Sequence, residues 1–391
     1  MNKPKIVRIT TVPISLSVLL KGQLRFIKSN NFDVIAISSP GDDLKKIEEN
    51  EKIRVIALPM TRKITPFQDF VSVINLYKIL KNENPLIVHS HTPKAGIVSM
   101  ISSWLAGVPI RLHTVAGLPL LESKGFKRFL LLYVERLTYF FATRVYTNSK
   151  GLLNIILEFK LVKPSKIGII ANGSSNGIDL LEFSPFNIDP KNINNLKSKL
   201  SIKVQDFVFV FVGRLVRDKG VDDLVLAFSS LIDICKSRSM PLPKLLLVGN
   251  YELDIDPLLI ETLQEIKCNN NIINVGFVDN VKPYFSISNV LVFPSYREGF
   301  PNVVLQAGAM GLPSIVTDIN GCNEIIKNNV NGLLVPPKRP DILLDTMFLL
   351  LNDSLLYQSL KSNSRSLILE RFQQQTVWDS LLEEYKSLIK F

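Results

Sequence analysis

The chain has 391 residues, 46% of them apolar and 21% charged, with a formal net charge of +11. That length exceeds one ordinary core and suits two domains of about 150–200 residues each, while the composition excludes a disordered chain. No run of 18 uncharged apolar residues occurs, which argues against a spanning helix, and three widely separated cysteines, Cys235, Cys268 and Cys322, fit a reducing cytoplasm and exclude a disulfide framework.

The N-terminal apolar segment Ile6–Leu20 is interrupted by Pro13 and lacks a clear small-residue cleavage site. It reads as a first strand and loop and not as a signal peptide. Short runs rich in Val and Ile then recur at 5–9, 33–38, 54–58, 86–89, 110–114, 144–148 and 167–170, with room for a helix after each. Such alternation is the mark of a parallel, doubly wound sheet. A polar stretch, 187–199, reads as the linker region. The pattern restarts at 207–212, 244–248, 272–276, 290–293, 314–317 and 333–335. The expected architecture is therefore α/β, with two Rossmann-like domains in series over 1–185 and 186–373. A terminal amphipathic helix follows, with Trp378, Leu381, Leu382, Tyr385 and Leu388 on its apolar face.

The charge is lopsided. Residues 1–185 hold 25 Lys and Arg against 13 Asp and Glu, and the remainder holds 21 against 22. Surface lysines are the plain reading. The sharper one is an anionic partner for the first half, either a membrane surface or a diphosphate-bearing acceptor. No nucleic-acid-binding motif accompanies the charge, so nucleic acid is not expected. The helix-like run 125–141 mixes bulky apolar residues with Lys124, Lys127, Arg128 and Arg136. It reads either as core with cations at its rim or as a segment lying on an anionic leaflet.

The most informative segment runs from Val290 to Thr317. A buried strand ends at Pro294-Ser295, a loop carries Glu298 and Gly299, and helical apolar spacing follows through Val303, Val304, Ala307 and Met310. Gly311-Leu312-Pro313 ends that helix ahead of the next strand. A carboxylate and a glycine thus stand at a strand's carboxyl end against a helix N-terminus, where open α/β sheets bind phosphorylated ligands. Upstream, Gly213-Arg214 and Asp218-Lys219-Gly220 also follow a strand and precede a helix. Glycine there lets the backbone approach a ligand, and the two cations match a diphosphate.

Taken together, these segments resemble family 4 glycosyltransferases of the GT-B fold, similar to those of bacterial surface-polysaccharide synthesis. The family signature is Glu, seven residues, Glu; here Glu298 fills the first position and Gln306 the second. The resemblance implies that Arg214 and Lys219, beside Gly213, hold the donor diphosphate and that Glu298 contacts the donor sugar. It implies that amides of Gly299, Phe300 and Asn302 meet donor hydroxyls or phosphate, and that Phe277 lies near the base. Gln306 still accepts a hydrogen bond where the family's second Glu holds the ribose, but without charge. In the first half the resemblance points to His113, at the end of the fifth strand, as a residue near the sugar, against an alternative as a satisfied core histidine. It points to Gly22 as a loop facing the acceptor side, to Asn172–Asp179 as an architectural turn, and to the helix 374–391 packing back on the first domain.

The implied reaction is retaining transfer from a nucleotide-sugar, expected to be a UDP-sugar, to a polyprenyl-diphosphate-linked saccharide, without metal or cofactor. It is expected at the cytoplasmic face of the membrane. Asp254-Ile255-Asp256 matches a three-residue metal motif of other folds, and His89 and His91 share a strand face with His113 nearby; neither set has convincing ligand spacing. A nucleotide-sugar 2-epimerase of the same fold and a non-catalytic nucleotide-sugar-binding subunit are the rival readings. The epimerase calls for more acid–base groups than three histidines, and the binding subunit is suggested by Gln306.

Overall fold

A computed structural model describes residues 3–121, 123–252, 254 and 256–389. By packing of Cα atoms the chain divides into two units, Met1–Gly177 with Gln374–Phe391, and Ile178–Gln373. Each is a parallel sheet covered on both faces.

In the first unit seven strands run as β1 (Lys5–Ile9), β2 (Asp33–Ser38), β3 (Arg54–Ala57), β4 (Ile87–His91), β5 (Ile110–Val115), β6 (Arg144–Thr147) and β7 (Ile167–Ile169), in the spatial order β3-β2-β1-β4-β5-β6-β7. The pairs are parallel, with Val7 opposite Ile35 on one side of β1 and opposite Val88 on the other. The strands are buried on both faces, which explains their unbroken apolar runs. One face packs Val7, Ile9, Val88 and Val145 against the helices Pro66–Glu83, Pro93–Ala106 and Gly125–Phe141. The other packs Ile6, Val34 and Leu112 against Leu381, Leu382 and Tyr385 of the helix Gln374–Ile389. That terminal helix thus completes the first unit's core, and its Trp378 indole donates to Asn176 Oδ1 (2.6 Å).

The second unit has six strands, β8 (Val208–Val212), β9 (Lys244–Val248), β10 (Ile272–Gly276), β11 (Val290–Phe293), β12 (Ser314–Thr317) and β13 (Gly332–Val335), in the order β10-β9-β8-β11-β12-β13. Phe209, Phe211, Phe228 and Phe285 are among its fully buried side chains. The strands lie where the sequence places them, to within a residue or two. The stretch read as a linker does not: Pro190–Lys199 is a helix. Asp189 caps it by accepting from the Lys191 amide (2.9 Å), and Pro190 opens its first turn. This is the Asp–Pro start signal, hidden by a polar composition. Ile193, Leu196 and Leu200 pack on the second unit's core while the asparagines and lysines face water.

Among the described residues no helix is long and apolar enough to cross a membrane. The helix Gly125–Phe141 is amphipathic in an unusual sense. Phe126, Phe129, Tyr133, Arg136 and Phe140, spaced 3-4-3-4, share one outward stripe. Phe126 is 80% and Phe140 72% exposed. Neighbouring helices add exposed Phe67, Phe70, Trp104 and Leu105.

Candidate active site

The second sheet reverses its winding between β8 and β11, which pair with Val290 opposite Phe209. The crevice beyond the carboxyl ends at such a switch point is where doubly wound sheets bind ligands. The two loops that leave β8 and β11 carry the sequence-predicted residues. After β8 the chain passes Gly213, whose amide donates to the Val248 carbonyl (2.9 Å), then Arg214 and a 3-10 turn, Arg217–Lys219. Gly220 follows at φ +69, and a Cβ there would lie 2.0 Å from the Pro294 carbonyl oxygen. Only glycine lets the first loop press this closely on the second. The Tyr296 amide donates to the Asp218 carbonyl (3.0 Å), joining them again.

This contact brings Lys219 Nζ onto Glu298 Oε1 in an ion pair whose side chains are only 15% and 13% exposed. Arg214 Nη1 donates to Glu252 Oε2 (2.7 Å) from a half-exposed position. Arg297 Nε donates to Asp218 Oδ1 (2.6 Å), and Asp256 Oδ2 accepts from the Asp218 amide (2.7 Å). Burial, only partly offset by Lys219, pushes the Asp218 carboxyl above its usual range. Each of these three cations is thus held by a carboxylate: Lys219 by Glu298, Arg214 by Glu252 and Arg297 by Asp218. The Glu298 loop is itself braced, because the Asn320 side-chain amide donates to the carbonyls of both Glu298 (2.9 Å) and Gly299 (3.0 Å).

The helix Asn302–Ala309 begins directly after Pro301 and has no side-chain cap; its Val304 amide donates to the Pro301 carbonyl (3.1 Å), and the amides before it stand at the helix start, where no intrahelical acceptor exists. Asn302 and Gln306, one turn apart, share a half-buried face. Phe300 turns its ring against Phe372 (centroids 5.4 Å apart), which leaves its backbone as the part available for contact. Phe277 is 67% exposed, and its amide is fixed by Asn250 Oδ1 (3.1 Å). Arg214, Lys219, Gly213, Glu298, Gly299 and Asn302 therefore lie in the segments that leave the two central strands, β8 and β11, at the sheet's carboxyl end. Glu252, Arg297 and Asn320 belong to the same constellation and were not singled out by sequence, and Asp256, noted there only for a metal motif, joins them. Asp256 and Glu252 lie in the acidic loop that suggested a metal motif; Asp256 instead caps a backbone amide. Among the described residues no group of three potential ligands could hold a metal.

In the first unit His113 is 2% exposed. Its Nδ1 meets Ser90 Oγ at 2.9 Å, and its ring lies where a Cβ on residue 96 would stand, 2.5 Å from that position. Burial holds it neutral, with a pKa lowered to about 4. Gly22 opens the helix Gln23–Ser29 at φ +78 beneath Trp378, whose ring comes within 2.8 Å of a Cβ built there. His89 and His91 stack on one another (centroids 4.6 Å apart) and bond to Tyr385, Thr114 and Arg8, apart from His113. Asn176, in the turn 172–179, bridges Gln23, the Lys21 carbonyl and Trp378.

Residues 192–367 match the family described as glycosyl transferases group 1, and residues 9–149 match glycosyl transferase 4-like. The capsular polysaccharide biosynthesis glycosyltransferase CapM of Staphylococcus aureus is 34% identical over 393 residues, covering 100% of this chain and 99% of that one. The chain is a family 4 glycosyltransferase. A second relative, the Escherichia coli UDP-Gal:alpha-D-GlcNAc-diphosphoundecaprenol alpha-1,3-galactosyltransferase, is 30% identical over 95% of this chain and 94% of that one. The Anabaena protein HepE, solved in complex with UDP and glucose, superposes with a TM-score of 0.80 at 19% identity, over 98% of this chain and 100% of that one. At that identity the match shows the fold, GT-B, and not the ligand. In this family 4 glycosyltransferase the matched region 9–149 falls within the first unit and 192–367 within the second. The Staphylococcus aureus relative is named for capsular polysaccharide biosynthesis, and the Escherichia coli relative for galactosyl transfer to a lipid-linked sugar.

Proposed function

We propose that the enzyme moves a sugar, with retention of configuration, from a UDP-sugar to a polyprenyl-diphosphate-linked saccharide. The observation that carries this is the paired cation and carboxylate, Lys219 and Glu298, where β8 and β11 part. Cleaving a sugar–phosphate bond leaves negative charge on the departing diphosphate. Lys219, Arg214 and the open amides at Asn302 stabilise it there, and no metal is needed for that task. On donor binding Lys219 turns from Glu298 to phosphate, which frees Glu298 to accept from a sugar hydroxyl. Phe277 offers an exposed face to the base, and Gln306 accepts from the ribose. Neutral, buried His113 positions its strand end through Ser90.

The acceptor class is supported by two relatives whose names specify undecaprenyl-diphosphate-linked sugars as substrates. We assign the first unit to the acceptor, residues 178–373 to the donor, and the aromatic stripe of the helix Gly125–Phe141 to an anionic membrane surface. Phe126, Phe129, Tyr133 and Phe140 enter the head-group layer, and Lys124, Lys127, Arg128 and Arg136 meet its charge. A position at the cytoplasmic face of the membrane belongs to the same proposal.

UDP release from a panel of UDP-sugars, with and without lipid extract from the source cells, tests the reaction. Release that requires lipid and collapses in Glu298→Ala and Arg214→Ala is expected. Nucleotide binding without turnover on any donor, unchanged by Gln306→Glu, overturns it in favour of a binding subunit. Release of free sugar without acceptor points instead to an epimerase. Co-sedimentation with anionic vesicles, lost in Phe126→Ser/Phe129→Ser, tests the surface; equal binding by that variant refutes it.

A further inference from the structure

We propose that Asp218 is a positioning residue for sugar transfer: it latches the loop after β8 to the loop after β11 and so fixes where Lys219 can reach. This role rests on Lys219 meeting the donor diphosphate, as proposed above. A carboxylate next to such a lysine opposes an incoming diphosphate by charge. Asp218 is nevertheless only 21% exposed, and its amide, its carbonyl and its carboxylate are all engaged.

The two loops meet residue by residue. The Tyr296 amide donates to the Asp218 carbonyl (3.0 Å), Arg297 Nε donates to Asp218 Oδ1 (2.6 Å), and Lys219 pairs with Glu298. Gly220 closes the run, with no room for a Cβ against the Pro294 carbonyl. On the other side the Asp218 amide donates to Asp256 Oδ2 (2.7 Å). Tyr296 extends the join to the helix Val221–Ser237, because its hydroxyl donates to Asp223 Oδ2 (2.8 Å) in the first turn. Lys219 must leave Glu298 to meet phosphate, whereas the charge-assisted Asp218–Arg297 bond can stay closed while it does. Asp218 neighbours Lys219 and Arg297 neighbours Glu298, so this bond sets the spacing of the two groups that exchange partners.

Two substitutions separate the latch from the charge. Asp218→Ala removes both, while Asp218→Asn removes the same charge and keeps an Oδ1 that accepts from Arg297. If the charge alone mattered, the two variants would behave alike. If Asp218 positions Lys219, they part. The difference falls on turnover and not on donor affinity, because a displaced lysine is missed most where charge develops on the leaving diphosphate.

UDP release, with the UDP-sugar selected by the panel above and lipid extract of the source cells, gives kcat; calorimetry with UDP gives affinity. We expect kcat to fall about 10- to 100-fold in Asp218→Ala and Asp218→Asn to recover most of that loss, with UDP affinity within about threefold in both. In a Lys219→Met background, Asp218→Ala should cost no more than about twofold, since it acts through the lysine. Arg297→Met breaks the same bond from its more exposed side; it should repeat the Asp218→Ala result, and it carries the test if that variant does not fold. Equal loss in Asp218→Ala and Asp218→Asn, or a further tenfold loss on top of Lys219→Met, overturns the latch. So does UDP affinity lost in Arg297→Met, which marks that arginine as a phosphate ligand. A loss in Lys219→Met with none in Asp218→Ala overturns the latch alone. Full turnover in Lys219→Met removes the diphosphate reading, and this role with it.

Discussion

Replacing Lys219 with methionine separates the two things its ion pair does. The substitution keeps an unbranched apolar side chain and removes the charged Nζ, which lies over the Phe293 ring at 5.7 Å. Glu298, 13% exposed, then loses its cation. Because the pair is not wholly sealed from water, we expect a stability loss of about 1–3 kcal/mol, below that of a fully buried pair. Loss of one preorganised donor to the leaving group should cost about 2.7–4 kcal/mol in the transition state, or 10²–10³ in kcat. The double variant Lys219→Met/Glu298→Gln distinguishes the effects. Residues in contact are not additive, so removing the orphaned carboxylate should recover about 1–2 kcal/mol of stability, while turnover stays low. Urea unfolding reads the first quantity and UDP release at saturating acceptor the second. If folded Lys219→Met keeps turnover within about threefold of the unaltered enzyme, or the double variant regains it, the pair is only structural and the diphosphate is held elsewhere.

Other substitutions probe the neighbouring parts. Gly220→Ala combines a left-handed backbone with a Cβ 2.0 Å from the Pro294 carbonyl; it should cost about 2 kcal/mol or more and weaken UDP binding, and unfolding midpoints with calorimetry would show both. Gln306→Glu should tighten UDP binding about three- to tenfold by making the ribose contact charge-assisted; unchanged affinity would remove residue 306 from the donor site. Acid should destabilise the first unit. His113 is held at about 4, and His89 and His91 lie well below the usual 6.5. The unfolded chain therefore takes up protons that the folded one refuses, and stability falls as pH drops from 6.5 toward 4. Glu135 opposes this, since burial lifts its carboxyl from 4.5 to about 7 and its protonated form favours the fold across that window. Glu135→Gln should make the acid loss steeper, as measured by unfolding free energy against pH; a shallower loss would contradict the assignment.

Much of this architecture is legible in the sequence because parallel strands buried on both faces leave unbroken Val- and Ile-rich runs. The helix Pro190–Lys199 is the exception: only Ile193, Leu196 and Leu200 face the core, and asparagine and lysine mask the period. Arg214, Lys219 and Glu298 are visible for a local reason, as each sits in a short loop between a strand and a helix. Their partners are not visible in the same way. Glu252 meets Arg214 and Asn320 braces Glu298 only after distant loops converge, and no spacing encodes that. His113 can be placed at a strand end, but its cover by Gly96 depends on how the helix Pro93–Ala106 lies. Arg8 reads as one residue of a strand; its burial among two histidines and a tyrosine is a product of tertiary packing.

The helix Gln374–Ile389 also bears on the order in which the chain can fold during synthesis. Tyr385 is fully enclosed in the first unit and bonded to Arg8, so the two residues that meet are separated by almost the whole chain. Emerging from the ribosome, the segment 3–177 lacks one wall of its core, while 178–373 already contains everything its own core needs. The inserted unit is therefore free to fold first, and the N-terminal sheet waits, with apolar surface exposed, until the last helix arrives. A chain cut short at about residue 373 would not keep a sound first unit. It would present an open sheet face to chaperones and proteases.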